Sequence, residues 1–413
     1  MRAHQGDLLN LALVASCDRR SSSFAEEVRD FRAFGTATIQ HEDGGIPYFI
    51  NEFWTARQRQ AHAIHELSYR ACFKPQLPAF FIERLTGRGD AVYDPFMGRG
   101  TTAIEAALQG RLPLGNDINP LAPMLVRPRL NSPRLDEVAR RLEEIPWDRS
   151  SPEEPDLLAF YSPGTLRQIV SLRRWLLERL PAGIAPDPVD DWIRMVAINR
   201  LTGHSPGFFS VYTLPPNQAI SAAAQRKINA RRHQVPPDRD VKRLTLAKSA
   251  SLLRQGPAPA HPKALLLIRS AESTPEIPDA SVRLVVTSPP FLDVVQYSAD
   301  NWLRSWFAGI DPNGVAIAEH RSEIAWQRMI RETLVELARL VAPGGYVAFE
   351  VGEVRSGKLL LENLVWEAAA GLPFVRLFVM VNQQDFTKTA NCWGVANNAK
   401  GTNTNRIVVL RRL

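Results

Sequence analysis

Ser288-Pro289-Pro290-Phe291 is the stretch best equipped for chemistry in this chain of 413 residues. It follows Ser281-Val282-Arg283-Leu284-Val285-Val286-Thr287, a short apolar, β-branched run that reads as a buried parallel strand. Two consecutive prolines fix φ and remove two backbone donors, so the chain must leave the sheet stiffly at its carboxyl edge. Open α/β sheets bind their ligands at that edge. A hydroxyl, a rigid turn with outward-facing carbonyls and an aromatic ring therefore arrive together. Such a set can hold an amino group by hydrogen bonds and stack the ring that carries it. A strand ending in an ordinary proline loop would use the same residues, so the turn needs a second feature beside it.

That feature is Asp94-Pro95-Phe96-Met97-Gly98-Arg99-Gly100-Thr101-Thr102. It continues a first core strand, Asp90-Ala91-Val92-Tyr93, and a helix is predicted over Ala103–Gln109, closed by Gly110. Gly98 and Gly100 can take positive φ and let backbone approach a ligand closely. Free N–H groups at a helix start, with the positive end of its dipole, suit a carboxylate. The hydroxyls of Thr101 and Thr102 stand there too. Asp94, at the strand tip, can meet an ammonium. An acid about 20 positions beyond such a loop is placed to take ribose hydroxyls. Asp117, in Asn116-Asp117-Ile118-Asn119-Pro120, fits that position.

Glycine loop, spaced acid and Pro-Pro turn in this order resemble the S-adenosylmethionine-dependent amino-methyltransferases of DNA. The Ser-Pro-Pro-Phe spelling is most similar to the cytosine-N4 branch; the adenine-N6 branch more often carries Asp or Asn where this chain has Ser288. The resemblance implies a Rossmann-like class I methyltransferase sheet of α/β class, mostly parallel with an antiparallel edge strand, plus a largely helical inserted domain. It implies a site-specific enzyme that moves methyl from S-adenosyl-L-methionine to cytosine N4 in double-stranded DNA, with a cognate restriction endonuclease as partner. Adenine N6 is the alternative target. An RNA methyltransferase and a non-catalytic DNA-binding protein on the same scaffold are the further readings. Ser288, Pro289, Pro290 and Phe291 would be catalytic. Asp94, Phe96, Gly98, Gly100, Thr101, Thr102, Asp117 and Asn119 would hold the cofactor. Phe73 and Pro75 match the family's Phe-x-Pro segment, which covers the cofactor; a hydrophobic staple for the next helix is the other reading of that pair. Neither a metal nor a covalent enzyme intermediate is required.

The remaining elements must position these two turns. Residues 1–50 form an N-terminal extension, with a strand or hairpin expected near Phe31–Gln40. Residues 51–122 are the first part of the catalytic domain, opening on a stretch to Tyr69-Arg70 in which basic and aromatic residues interleave. Residues 123–262 form a helical insertion between the second and third core strands. Ser162 caps a helix with Pro163 at its first position, and Asp190–Leu201 is a second helix. The aromatic and glycine-rich run Gly203–Ser210 is hard to read as core. Arg226, Lys227, Arg231, Arg232, Lys242 and Arg243 then make the footprint expected of a phosphate backbone, or a solvated helix face. The insertion would read the target sequence. Residues 263–413 complete the catalytic domain: a third strand at Ala264–Ile268, the Pro-Pro strand, a helix at Ile324–Val341, a strand at Tyr346–Val351 and a last one at Ile407–Leu410. Either Glu272 or backbone takes the cofactor's adenine. The amide-rich run 391–406 reads as a binding loop or a plain hairpin.

The formal net charge of +7 suits a polyanionic partner. Cys17, Cys72 and Cys392 are far apart and odd in number, which argues against a disulfide framework and shows no metal-ligand spacing. The run Leu11–Cys17, with Arg2 upstream, looks somewhat like a lipoprotein signal, but it is short and Asp7 and Asn10 interrupt its beginning, so export is not expected. No run approaches the roughly 20 apolar residues of a membrane span. The cytoplasm, at the nucleoid, is the expected location.

Overall fold

A computed structural model describes residues 24–55, 61–69, 73–148, 155–180, 186–213, 219–256, 260–290, 292, 297–311, 314–315, 322–354, 359–383 and 404–413. Its frame is a nine-stranded sheet. Strands β1 (Ile39–Asp43) and β2 (Ile46–Asn51) form a hairpin at one edge. The others are β3 (Ala91–Asp94), β4 (Leu112–Asn116), β5 (Leu265–Leu267), β6 (Val282–Thr287), β7 (Val341–Val351), β8 (Phe374–Gln383) and β9 (Thr404–Arg412). Their spatial order is β1-β2-β8-β9-β7-β6-β3-β4-β5. All run parallel except β1, the antiparallel edge strand, and β9, which lies antiparallel inside the sheet between β7 and β8. The interior antiparallel strand was not expected. The hairpin predicted near Phe31–Gln40 lies a little later and extends the sheet itself.

Burial on both faces explains the continuous apolar spelling of the central strands. Val282 and Val285 of β6 face one core and Leu284 and Val286 the other. Helix α9 (Tyr297–Ala308) follows β6, and helices α10 (Glu323–Leu340) and α11 (Leu361–Ala368) cover the first face. Helix α1 (Gln76–Leu85) covers the second with Phe24 and Trp54.

The strand order reverses direction around β3. The chain goes from β3 outward through α2 (Thr101–Leu108) and β4 to β5, then crosses back to β6 on the other side of β3. A crevice at the carboxyl ends is therefore expected between the β3 and β6 tips. Between β4 and β5 the chain makes helices α3 (Leu121–Leu130), α4 (Leu135–Glu144), α5 (Pro163–Glu178), α6 (Pro188–Arg200), α7 (Ala222–Arg232) and α8 (Val241–Leu252). The expected boundary at residue 122 falls within α3. The insertion's core, around Trp192 and Phe160, is continuous with Ala103 and Ile104 of α2. Ser162 accepts from the Thr165 N–H, the cap its sequence announced. Asp190 and Asp191, buried at the first turn of α6, absorb several arginines: Arg179 reaches Asp190 at 2.8 Å, Arg127 reaches Asp191 at 2.7 Å, and Arg141 also bonds Asp190.

The Gly203–Ser210 run does enter the core, contrary to expectation. Phe209 is wholly buried and its N–H bonds the Arg200 carbonyl at 2.9 Å. A Cβ on Gly203 would stand 2.3 Å from the Phe208 ring, so only glycine lets that ring fold over.

Gly100 gives the first test. It is the N-cap of α2 at φ 76°, and a Cβ there would stand 2.3 Å from Val126 Cγ2. Gly100→Ala should cost about 3 kcal/mol in denaturant unfolding, by strain and overpacking together. Adding Val126→Ala should recover the packing part and leave the φ part.

Candidate active site

The two turns meet over neighbouring strand tips. β3 and β6 pair parallel, with Val92 opposite Leu284 and Tyr93 opposite Val285. The Thr287 hydroxyl, at the end of β6, donates to Asp94 Oδ1 at 2.7 Å, and the Phe96 N–H donates to the same oxygen at 3.1 Å. The Thr102 hydroxyl donates to the Val286 carbonyl at 2.9 Å, which ties the start of α2 to the same strand. Gly98 and Pro289 therefore stand on one edge of the sheet.

The tip of β4 braces the glycine loop. Asp117 Oδ2 accepts from the Gly98 N–H at 2.8 Å and Oδ1 from the Asn119 N–H at 2.9 Å. A carboxylate has about four lone-pair sites, so both oxygens can still accept hydroxyls. The buried Asn116 side chain joins the Pro95 and Arg269 backbones, linking the tips of β3, β4 and β5. Arg99 turns the other way and clamps the segment before α1, through the Leu67 carbonyl at 2.8 Å and the Phe73 carbonyl at 3.3 Å.

A cavity of about 340 Å³ opens over these tips. Its walls are the loop from Asp94 to Arg99, the 117–119 and 269–272 segments, Ser288, Pro290, and Arg328, Met329 and Glu332 of α10. Burial pushes Asp94 up to about 7, against the hydrogen bond from Thr287 and with Asp117 adding to the rise. Burial pushes Asp117 up to about 6. Among the described residues neither carboxylate has a cationic partner, which favours a ligand that brings positive charge and hydroxyl donors. S-adenosylmethionine carries an ammonium, a sulfonium and ribose hydroxyls, so the donor set and the cavity fit it.

Beside Ser288 lies a group that sequence reasoning missed. Glu350, near the end of β7, is buried, and accepts hydrogen bonds from the Ser288 hydroxyl and from Asn405 Nδ2 at 3.0 Å. Burial raises its pKa despite both bonds. A lone acid in the apolar run Tyr346–Val351 was the signal available. Trp326 of α10 donates its indole N–H to the Pro290 carbonyl at 2.7 Å and fixes the turn from behind.

Of the expected cofactor residues, Phe73, Asp94, Phe96, Gly98, Thr101, Asp117 and Asn119 line the cavity. Gly100, Thr102 and Pro75 do not. Gly100 makes room for Val126, Thr102 bonds β6, and Pro75 precedes α1 as its N-cap. Ser288 and Pro290 line the cavity, Pro289 is buried, and Phe291 lies outside the described residues. Glu272 and the backbone beside it both reach the wall at the β5 tip. The expected phosphate contacts divide. Arg226 pairs with Asp156 at 2.5 Å, Lys242 pairs with Glu143, and Arg232 stacks over Tyr212 at 3.8 Å. Lys227, Arg231 and Arg243 are exposed. Among the described residues, no helix is long and apolar enough to cross a membrane, and no group of three acidic, histidine or cysteine side chains could hold a metal.

The carboxylate pKa values predict a stability trade. Asp94 is raised above its unfolded value of about 3.9. Its contribution to stability is therefore full below about pH 4 and is lost as pH rises through about 7. Asp94→Asn keeps an oxygen for Thr287 and Phe96. It should stabilise the ligand-free protein at pH 8 by on the order of a few kcal/mol in denaturant unfolding. The same variant should bind S-adenosylmethionine more weakly in calorimetry.

Residues 40–122 match the DNA methylase family model for N6 and N4 methylation. The type II methyltransferase M.MjaII of Methanocaldococcus jannaschii is 33% identical over 89 residues, 22% of this chain and 16% of that protein. The type II methyltransferase M.MvaI of Kocuria varians is 32% identical over 102 residues, 24% of this chain and 21% of that protein. The match thus spans about a fifth of each relative or less. Among solved structures, an S-adenosylmethionine-dependent methyltransferase from Methanosarcina mazei is 10% identical with a TM-score of 0.34, covering 81% of this chain and 97% of its own. A putative DNA modification methylase from Thermus thermophilus is 23% identical with a TM-score of 0.21, covering 35% of this chain and 50% of its own. The sequence matches make residues 40–122 similar to the DNA methylase family, whose cytosine-N4 and adenine-N6 branches they do not separate.

Proposed function

We propose that this chain methylates the N4 amino group of cytosine in double-stranded DNA, at a specific site and within a restriction–modification system. The observation that carries the reading is the placement of Ser288, held by Glu350, in the wall of a carboxylate-floored cavity.

S-adenosylmethionine supplies the methyl group on its sulfonium. The protein's residues hold and orient. Asp94 would hold the ammonium, the N–H groups at the start of α2 the carboxylate, and Asp117 the ribose hydroxyls. The target cytosine is rotated out of the duplex, at a cost of a few kcal/mol. Its amino nitrogen is a poor nucleophile because the lone pair is delocalised into the ring. Ser288 donates its hydrogen bond to Glu350, which leaves its oxygen lone pairs to accept from the amino group. Trp326 occupies the Pro290 carbonyl, which leaves the second acceptor to Pro289. Hydrogen bonds to these oxygens draw the nitrogen towards tetrahedral shape, and fixed alignment supplies the rest of the gain. Methylation obliges the nitrogen to lose a proton. It passes to the Ser288 oxygen as the Ser288 proton moves to Glu350, whose raised affinity for protons suits an acceptor.

Mass spectrometry of digested DNA, after expression in a host free of methylation, should show N4-methylcytosine. N6-methyladenine instead would assign the chain to the other branch, and unmodified DNA would remove the enzyme reading.

Steady-state kinetics should separate the roles. Ser288→Ala and Glu350→Gln should each lower turnover about 100-fold, within the usual range for acid–base groups, with S-adenosylmethionine affinity nearly intact. Trp326→Phe keeps the bulk and loses the N–H, and should lower turnover less. Equal loss of cofactor affinity and turnover in Ser288→Ala would count against its catalytic role.

A further inference from the structure

The basic and aromatic segment before α1 carries a charge arrangement that the reaction above does not use. Between Phe53 and Ile82 its one acid is Glu66. Glu66 sits in a knot of cations from distant helices. Arg254 pairs with it at 2.6 Å, while Lys248 of α8 approaches only to 3.8 Å. Arg200, at the end of α6, lies close enough to act on Lys248. Its guanidinium stacks over Phe208 at 4.0 Å and directs Nε and Nη2 to Asn199. Among the described residues no carboxylate steadies the Arg200 charge. His62 lies close enough to feel both Arg254 and Glu105, and burial holds it below its ordinary value.

Lys248 and Arg254 thus share one carboxylate beside Arg200, and Lys248 and Arg200 are withdrawn from water. The Lys248 side chain is 11% exposed. Burial and the Arg200 charge push Lys248 down to about 8, and burial pushes Arg200 down to about 10. Uncompensated charge in a partly dry place costs stability, and an anion arriving there offsets that cost.

The knot is tied to the scaffold of the cofactor loop. Leu67, next to Glu66, accepts from Arg99 of that loop. The Ser68 carbonyl accepts from Asn199 Nδ2 at 3.0 Å and from Arg304 Nη2 at 3.3 Å. Tyr69 lines the cavity itself. Three residues of chain span about 10 Å at most, so the Glu66 backbone stands within about that distance of the cavity-lining Tyr69.

We propose that Arg200, Lys248 and Arg254 form a binding site for one backbone phosphate of the DNA strand whose base enters the cavity. The proposal rests on the DNA-methyltransferase reading. Guanidinium and ammonium groups with donors to spare are suited to phosphate oxygens.

The test is binding of a random-sequence duplex of about 20 base pairs across a range of salt. Lys248→Met should weaken binding about tenfold at low salt and flatten the slope of log affinity against log salt by about one. Glu66→Gln should do the opposite and tighten binding. A purely structural knot would weaken in both variants, so the opposed signs are diagnostic. Unchanged slope in Lys248→Met, or weaker binding in Glu66→Gln, overturns the site. Inorganic phosphate titrated alone should leave the unfolding midpoint unmoved; stabilisation by it, with an unchanged DNA slope, would reassign the site to a free anion. Methyl transfer by the unaltered protein is read in parallel. Its absence would sink the enzymatic reading, whereas the slopes judge the phosphate site.

Discussion

The parallel pairing of β3 with β6 is the constraint on which the site depends. Through it, residues remote in the chain share one buried hydrogen bond, from the Thr287 hydroxyl to the Asp94 carboxylate at 2.7 Å. That bond lies where water is excluded, so it is strong, and losing either partner strands a polar group. The Thr102 bond to β6 repeats the link one turn further into α2. A glycine loop that was free of β6 would still be able to bind a ligand. It would not hold that ligand at a fixed distance from Ser288.

The long excursion between β4 and β5 does not loosen this pairing, for a physical reason. Loop-closure entropy grows only with the logarithm of length, so a large insertion costs little once it folds. The insertion folds by sharing its core with α2 and α3, the helices that follow the cofactor loop and β4. Val126 packs against Gly100 at the head of α2, so the same contact that closes the insertion's core sets the loop's conformation. Gly100 therefore serves the site indirectly, through packing.

These features explain what could be read from sequence. The strands, the glycine loop and the Ser-Pro-Pro turn were legible because each is a local pattern: β-branched runs, a helix start, a φ-locked exit. The position of Asp117 was legible because strand and helix lengths fix its distance from the loop. Glu350 was not, because its role comes from strand order. It faces Ser288 only because β7 lies beside β6, and it meets Asn405 only because β9 enters between β7 and β8. Phe208 and Phe209 were misplaced because glycine and serine around them look like surface loop; Gly203 makes room for a ring to fold inward. Arg226 and Lys242 looked free because their acids, Asp156 and Glu143, lie far off in sequence.

Charge sorts the two ligands of the proposed reaction. The cavity floor holds Asp94 and Asp117, with Glu350 just behind Ser288, each raised by burial. The chain as a whole carries +7, and the Lys248 knot and the exposed Arg231 stand outside the floor. A negative floor attracts a cationic methyl donor and repels phosphate, which the proposed site at Lys248, outside that floor, would attract. The part of the substrate that meets no electrostatic penalty on entering is an uncharged base. A base reaches such a floor without its phosphates only when rotated out of the stack.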